Sequence, residues 1–182
     1  LIVTVNQLMT LKEDPKIINS SPALKFTGAG ITFLIIFCIL SALGSFLSIG
    51  KYTQISFTSI GYQVLAVYGF FSMVIFGAIY FIVPRITNSE WPSLGGMQSH
   101  FILSVYAIAT LIVIHFLGGI WQSGAYAKHD APLENAIASA KPYAIGASIV
   151  WIVIWISVVR FLMNLFSLIF RTGRREISSK FV

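Results

Sequence analysis

Charge is what this chain has least of. Only 10% of its 182 residues are Asp, Glu, Lys or Arg, where a soluble domain carries about 25%. Acidic groups are the scarcer kind, six in all, and the run from Ser59 to Val83 holds no charged residue of either sign. None of the long apolar segments contains a carboxylate, which excludes a proton relay built on intramembrane acids. Cysteine is nearly absent. Cys38 stands alone inside an apolar run; a single thiol makes neither an internal disulfide nor a thiolate metal cluster, so it reads as packing. There are three histidines, His100, His115 and His129. No phosphate-cradling glycine loop, zinc motif or nucleophile triad occurs. No basic n-region precedes Leu1, so no secretory signal is read and the start reads as a truncation or a processed end.

Apolar residues fill the space that charge leaves. They make up 57% of the chain, with a mean hydropathy of +0.85. A hydrocarbon core of about 30 Å takes roughly 20 apolar residues at about 1.5 Å each. Four segments meet that length: about 24–49, 59–83, 97–121 and 142–170. The expected fold is an all-α membrane protein, one membrane domain whose four transmembrane helices pack as a bundle. Leu1 to Leu11 is apolar but too short to span, and residues 1–23 read as an N-terminal segment, either the end of an earlier helix or an interfacial stretch. Residues 171–182 read as a basic tail. In the first span Ser41, Gly44, Ser45 and Ser48 recur at helical spacing and form a small-residue stripe suited to close helix packing.

The net charge of +6 does not indicate nucleic acid, because the basic residues sit at helix ends rather than on an aromatic-studded face. Their distribution gives a topology instead. Lys12, Lys16, Lys25, Arg85, Arg171, Arg174, Arg175 and Lys180 fall on one side of the four spans, and Lys51, Lys128 and Lys141 on the other. Cytoplasmic loops carry the excess of Lys and Arg, so both termini are expected in the cytoplasm. Trp91, in the loop after the second span, suits the membrane–water interface.

Ionisable groups within a span are the functional candidates. His100 and His115 share the third span, and fifteen positions at about 1.5 Å separate them by roughly 22 Å, too far to grip one metal or haem together. The other spans hold no histidine. His115 therefore reads either as a hydrogen-bonded structural histidine or as a cofactor contact completed by a partner or by His129. Arg160, inside the fourth span, reads as snorkelling toward the cytoplasmic interface, satisfied by carbonyls, Asn164 or Tyr106, or as a contact to a haem propionate, a lipid phosphate or a partner subunit.

On the second span the pattern becomes specific. Gly61-Tyr62-Gln63-Val64-Leu65-Ala66-Val67-Tyr68-Gly69-Phe70-Phe71, continued by Met73 to Phe76 and Gly77-Ala78-Ile79-Tyr80-Phe81-Ile82-Val83-Pro84-Arg85, resembles the haem-ligand helix of the C-family (cbb-type) haem–copper cytochrome c oxidases. Ser21-Pro22-Ala23-Leu24-Lys25-Phe26 is similar to the start of the family's preceding helix, and Glu90-Trp91-Pro92 to the following loop. Ser99-His100-Phe101, Gly118-Gly119-Ile120-Trp121-Gln122 and Lys141-Pro142-Tyr143 resemble the helices after it. The likeness covers nearly the whole chain and corresponds to the C-terminal third of the catalytic subunit.

The resemblance implies a haem-ligating Gly-His-x-His at the start of this helix, and here the two histidine positions read Tyr62 and Val64. Valine has no lone pair for iron, and tyrosine ligates only as tyrosinate. The family's copper ligands lie on earlier helices that this stretch does not include. The resemblance thus implies a retained scaffold with altered chemistry. The expected role is a non-catalytic structural or assembly subunit of a respiratory oxidase complex in a bacterial inner membrane. No cofactor is expected in the chain itself. Haem would sit in partner subunits, which are expected to be integral-membrane proteins with a c-type cytochrome subunit among them. The alternatives are a b-type cytochrome using His115 with a partner's ligand, or a divergent fragment of an oxidase or nitric oxide reductase catalytic subunit; whether the chain is itself an enzyme stays open at this point.

Overall fold

The structure, a computed structural model, describes residues 21–127 and 133–179. Every described element is helical, and four helices are long and apolar enough to cross a membrane. The protein is an all-α, multi-pass membrane protein. The Leu1–Leu11 segment and His129 lie outside the described residues.

Helix α1 spans Pro22–Gly44, with Pro22 in the first turn where its missing N–H costs nothing. It ends earlier than the apolar run suggests. Ser45 donates its hydroxyl to the Ser41 carbonyl at 2.9 Å, a back-bond that bends helices, and Phe46 turns extended before a second helix, α2, at Leu47–Thr53. The two segments meet closely, since a Cβ on Gly50 would lie 2.8 Å from the Gly44 carbonyl oxygen. The one continuous helix expected through Ile49 is therefore two, and the small-residue stripe is cut at Ser45.

Helix α3 spans Thr58–Thr87. Its middle, Val64–Ser72, is π-helical, and Ser72 reinforces the wider turn by donating to the Val67 carbonyl five residues back, at 2.9 Å. It does not stop at Pro84-Arg85 but at Asn88, which takes a left-handed conformation and donates its N–H to the Pro84 carbonyl. Helix α4 spans Leu94–Tyr126, and Ser93 caps it by accepting the Gly96 N–H at 2.9 Å. Helix α5 spans Leu133–Ser179 and runs through Pro142. Between the expected third and fourth spans, residues 122–126 and 133–141 are helical: Ser, Ala, Asn and Glu continue both helices past the point where hydrophobicity ends.

In the bundle, α1 packs on α3, α4 packs on α3 and most extensively on α5, and α5 stands at the periphery. Lipid supplies no apolar drive between helices, so close approach through small residues has to supply the contact. The α1–α3 seam shows this. A Cβ on Gly30 would come within 2.9 Å of Val74, one on Gly69 within 3.0 Å of Phe33, and one on Gly77 within 2.9 Å of the Ala23 carbonyl oxygen. Where α4 meets the start of α3, Gly119 lies against the backbone and side chain of Thr58 with no room for a methyl group. Phe26, Leu65, Met73 and Leu111 are fully buried between these seams.

Candidate functional site

Two histidines on one helix occupy two different environments. His100, near the start of α4, is 0% exposed. Its Nδ1 is 2.9 Å from the Tyr80 hydroxyl of α3, and rings enclose it. The centroids of Phe76, Phe26 and Phe161 lie 4.6, 4.9 and 5.3 Å away. Tyr80 is itself braced by Trp91, whose indole N–H donates to the Tyr80 carbonyl at 3.1 Å and whose ring meets the phenol edge-on. On the other side Ser157 of α5 donates to the His100 carbonyl at 2.9 Å and shares a 2.8 Å hydrogen bond with Ser104. One buried polar string thus ties α3, α4 and α5 together. His100 Nε2 has no partner among the described residues.

His115 lies 3% exposed beside the start of α3. Its Nδ1 donates to the Leu111 carbonyl at 2.7 Å, so Nε2 carries the lone pair in the neutral ring. The ring stacks on Phe57 at 4.6 Å and 21°. Gly61 makes room for this packing, because a Cβ there would be 3.2 Å from the His115 Cβ.

Tyr62 and Val64 sit on the same stretch. Tyr62 donates its hydroxyl to the Leu40 carbonyl at 2.9 Å and meets Phe37 and Phe116 edge-on. Val64 is 2% exposed in the core. A haem iron needs a lone pair aimed at it. Val64 offers none, and Tyr62 has its phenol committed to the backbone of α1. His100 would need one of its packed rings displaced before a macrocycle could approach. Tyr62 and Val64 do not fit a haem, and His115 holds its Nε2 as a lone-pair nitrogen. Among the described residues no group of three or more His, Cys, Asp or Glu side chains comes together.

The remaining sequence candidates separate. Within the small-residue stripe, Gly44 faces inward, a Cβ there being 2.7 Å from the Tyr62 hydroxyl, while Ser45 and Ser48 are exposed. Cys38 is half-buried. Arg160 is exposed and donates to Ser99 at 3.3 Å. It uses neither of the side chains expected for it: Asn164 is engaged with both the N–H and the carbonyl of Ser93, and Tyr106 is 70% exposed. Sequence reasoning missed the pairing of Tyr80 with His100. The available signal was Trp91, read as an interfacial anchor although its half-buried ring braces that tyrosine.

Compared with known proteins, the chain matches the family model for cytochrome c and quinol oxidase polypeptide I over residues 1–150. No curated protein matches it.

Proposed function

Because the chain belongs to the cytochrome c and quinol oxidase polypeptide I family, we propose that it serves an oxidase complex as a non-catalytic structural or assembly subunit. The observation that carries this reading is the pair Tyr62 and Val64. They stand where the resemblance to the C-family puts iron-ligating histidines, and one is a hydrogen-bonded brace to Leu40 while the other is core. The surrounding helices pack closely through glycine seams and the His100 string, which supports a scaffold role. On this reading haem sits in partner subunits, which are integral-membrane proteins and include a c-type cytochrome. The assembly belongs to a bacterial inner membrane, with both termini of this chain in the cytoplasm. Purifying the tagged chain from native membranes tests the role. Oxidase subunits should co-purify and oxygen consumption should stay with the complex; a chain that purifies alone and consumes oxygen would overturn it.

A second reading has its own observation. The His115 Nδ1–H is fixed on a backbone carbonyl, an arrangement found in imidazoles that ligate through the other nitrogen. It supports a b-type cytochrome completed by a partner's ligand. Against it stands the Phe57 ring stacked on the imidazole, which would have to move.

A further inference from the structure

Arg160 is a cation inside the fourth span with no carboxylate partner among the described residues. No Asp or Glu occurs between Ile145 and Phe170 or anywhere in α4. Its one hydrogen bond to a described residue is the long one to Ser99, and a guanidinium has five N–H donors. Asn164, one turn along, is spent on the Ser93 backbone. Around Arg160 lies an open groove of about 710 Å³ between α5 and the start of α4. Trp155, Ile156, Val159 and Met163 make its wall apolar, while Ser93 and Gly96 form its polar end. Ser99 is six residues beyond the Ser93 cap, or about 9 Å down the helix. Taking the Ser93 cap as the level of the membrane surface, that depth is where headgroups give way to acyl chains. Arg171 lies eleven residues further along α5, close to three full turns and so on the same face. The α5 wall of the groove falls outside residues 1–150, the part that matches the family, while its Ser93 and Gly96 end falls within it.

We propose that this groove binds an anionic phospholipid, its phosphate paired with Arg160 and an acyl chain lying along Trp155 to Met163. Guanidinium and phosphate match in shape and charge, and Arg171 adds positive potential toward the headgroup side. A protein partner would have to carry its own buried acid to this depth, at a cost of several kcal/mol on most scales, whereas lipid brings phosphate there in any case.

The test reconstitutes the purified protein, in the assembly it is isolated with, into phosphatidylcholine vesicles. These contain increasing fractions of either brominated-acyl phosphatidylglycerol or brominated-acyl phosphatidylcholine. Bromine quenches tryptophan on contact, and subtracting the Trp155→Phe variant isolates the signal of Trp155. Half-maximal quenching is expected at about fivefold lower content of phosphatidylglycerol than of phosphatidylcholine, the scale of one basic side chain at an anionic surface. Arg160→Gln should abolish that preference and Arg160→Lys should keep it. Equal quenching by both lipids would reduce the groove to ordinary boundary lipid and overturn the proposal. So would an unchanged preference in Arg160→Gln, or a Trp155 that neither lipid reaches because protein covers it. Should Arg160→Gln not fold, the wild-type comparison of the two lipids decides alone.

Discussion

Tyr80→Phe removes a single oxygen from the centre of the bundle, and its cost can be worked out from the surroundings. Hydrogen bonds between transmembrane helices are worth about 0.6 kcal/mol on average and about 1.7 at most. Here the bond joins α3 to α4 across 2.9 Å, and the partner left behind is a 0%-exposed imidazole whose other nitrogen already lacks a described partner. Leaving a buried polar group unsatisfied costs about 1–3 kcal/mol. The loss should therefore sit near the top of the membrane range, at about 1.5 kcal/mol. The assay is unfolding of the purified chain from mild detergent into dodecyl sulfate, followed by helical circular dichroism, in a double-mutant cycle. In the His100→Leu background the phenol has lost its partner, so Tyr80→Phe should there cost nothing or stabilise. Equal costs of Tyr80→Phe in both backgrounds would refute the reasoning, because the hydroxyl would then act independently of His100.

Three further outcomes can be checked. Gly119→Ala places a methyl on the Thr58 backbone, which cannot swing aside, and should cost about 1–3 kcal/mol in the same assay; Gly124→Ala, whose Cβ meets nothing within 4 Å, should be neutral or gain up to about 1 kcal/mol from helix propensity. Gly44→Leu must displace the Tyr62 hydroxyl, so the chain itself should lose about 1–3 kcal/mol in detergent; unchanged stability with loss from a purified assembly would instead mean that the glycine faces a partner. Single cysteines at Lys12 and Arg174 should label from the cytoplasmic side and one at Lys128 from the other, and external labelling at position 174 would reverse the topology.

How much of this was legible beforehand differs from level to level. Length and apolarity marked all four spans, because a bilayer imposes a minimum helix length that composition alone reports. Helix ends were less legible. Hydropathy stops at the membrane surface, but Leu133 to Ala140 goes on as helix beyond it, and Pro84 falls inside the last turn of α3 rather than ending it. The seams were only half visible. The regular Ser41/Gly44/Ser45/Ser48 spacing drew attention to a helix that Ser45 interrupts, whereas the glycines of the α1–α3 seam, Gly30, Gly69 and Gly77, are spread over two helices with no shared local pattern. The Tyr80–His100 pair was invisible for the same reason: it depends on the register between α3 and α4, which no spacing within either helix sets. For Arg160, the expected partner Asn164 is one turn away on its own helix and the observed partner Ser99 is on α4; the Ser93 backbone takes Asn164 because its N–H and carbonyl together offer two bonds.

The central claim is that the scaffold of the family persists here without its ligation chemistry, and the haem content of the purified chain tests it most directly. A reduced-minus-oxidised spectrum with acid extraction and haem quantitation should show no stoichiometric haem, and the chain alone should reduce no oxygen. One haem per chain that disappears on His115→Ala would contradict the account and establish the cytochrome reading in its place.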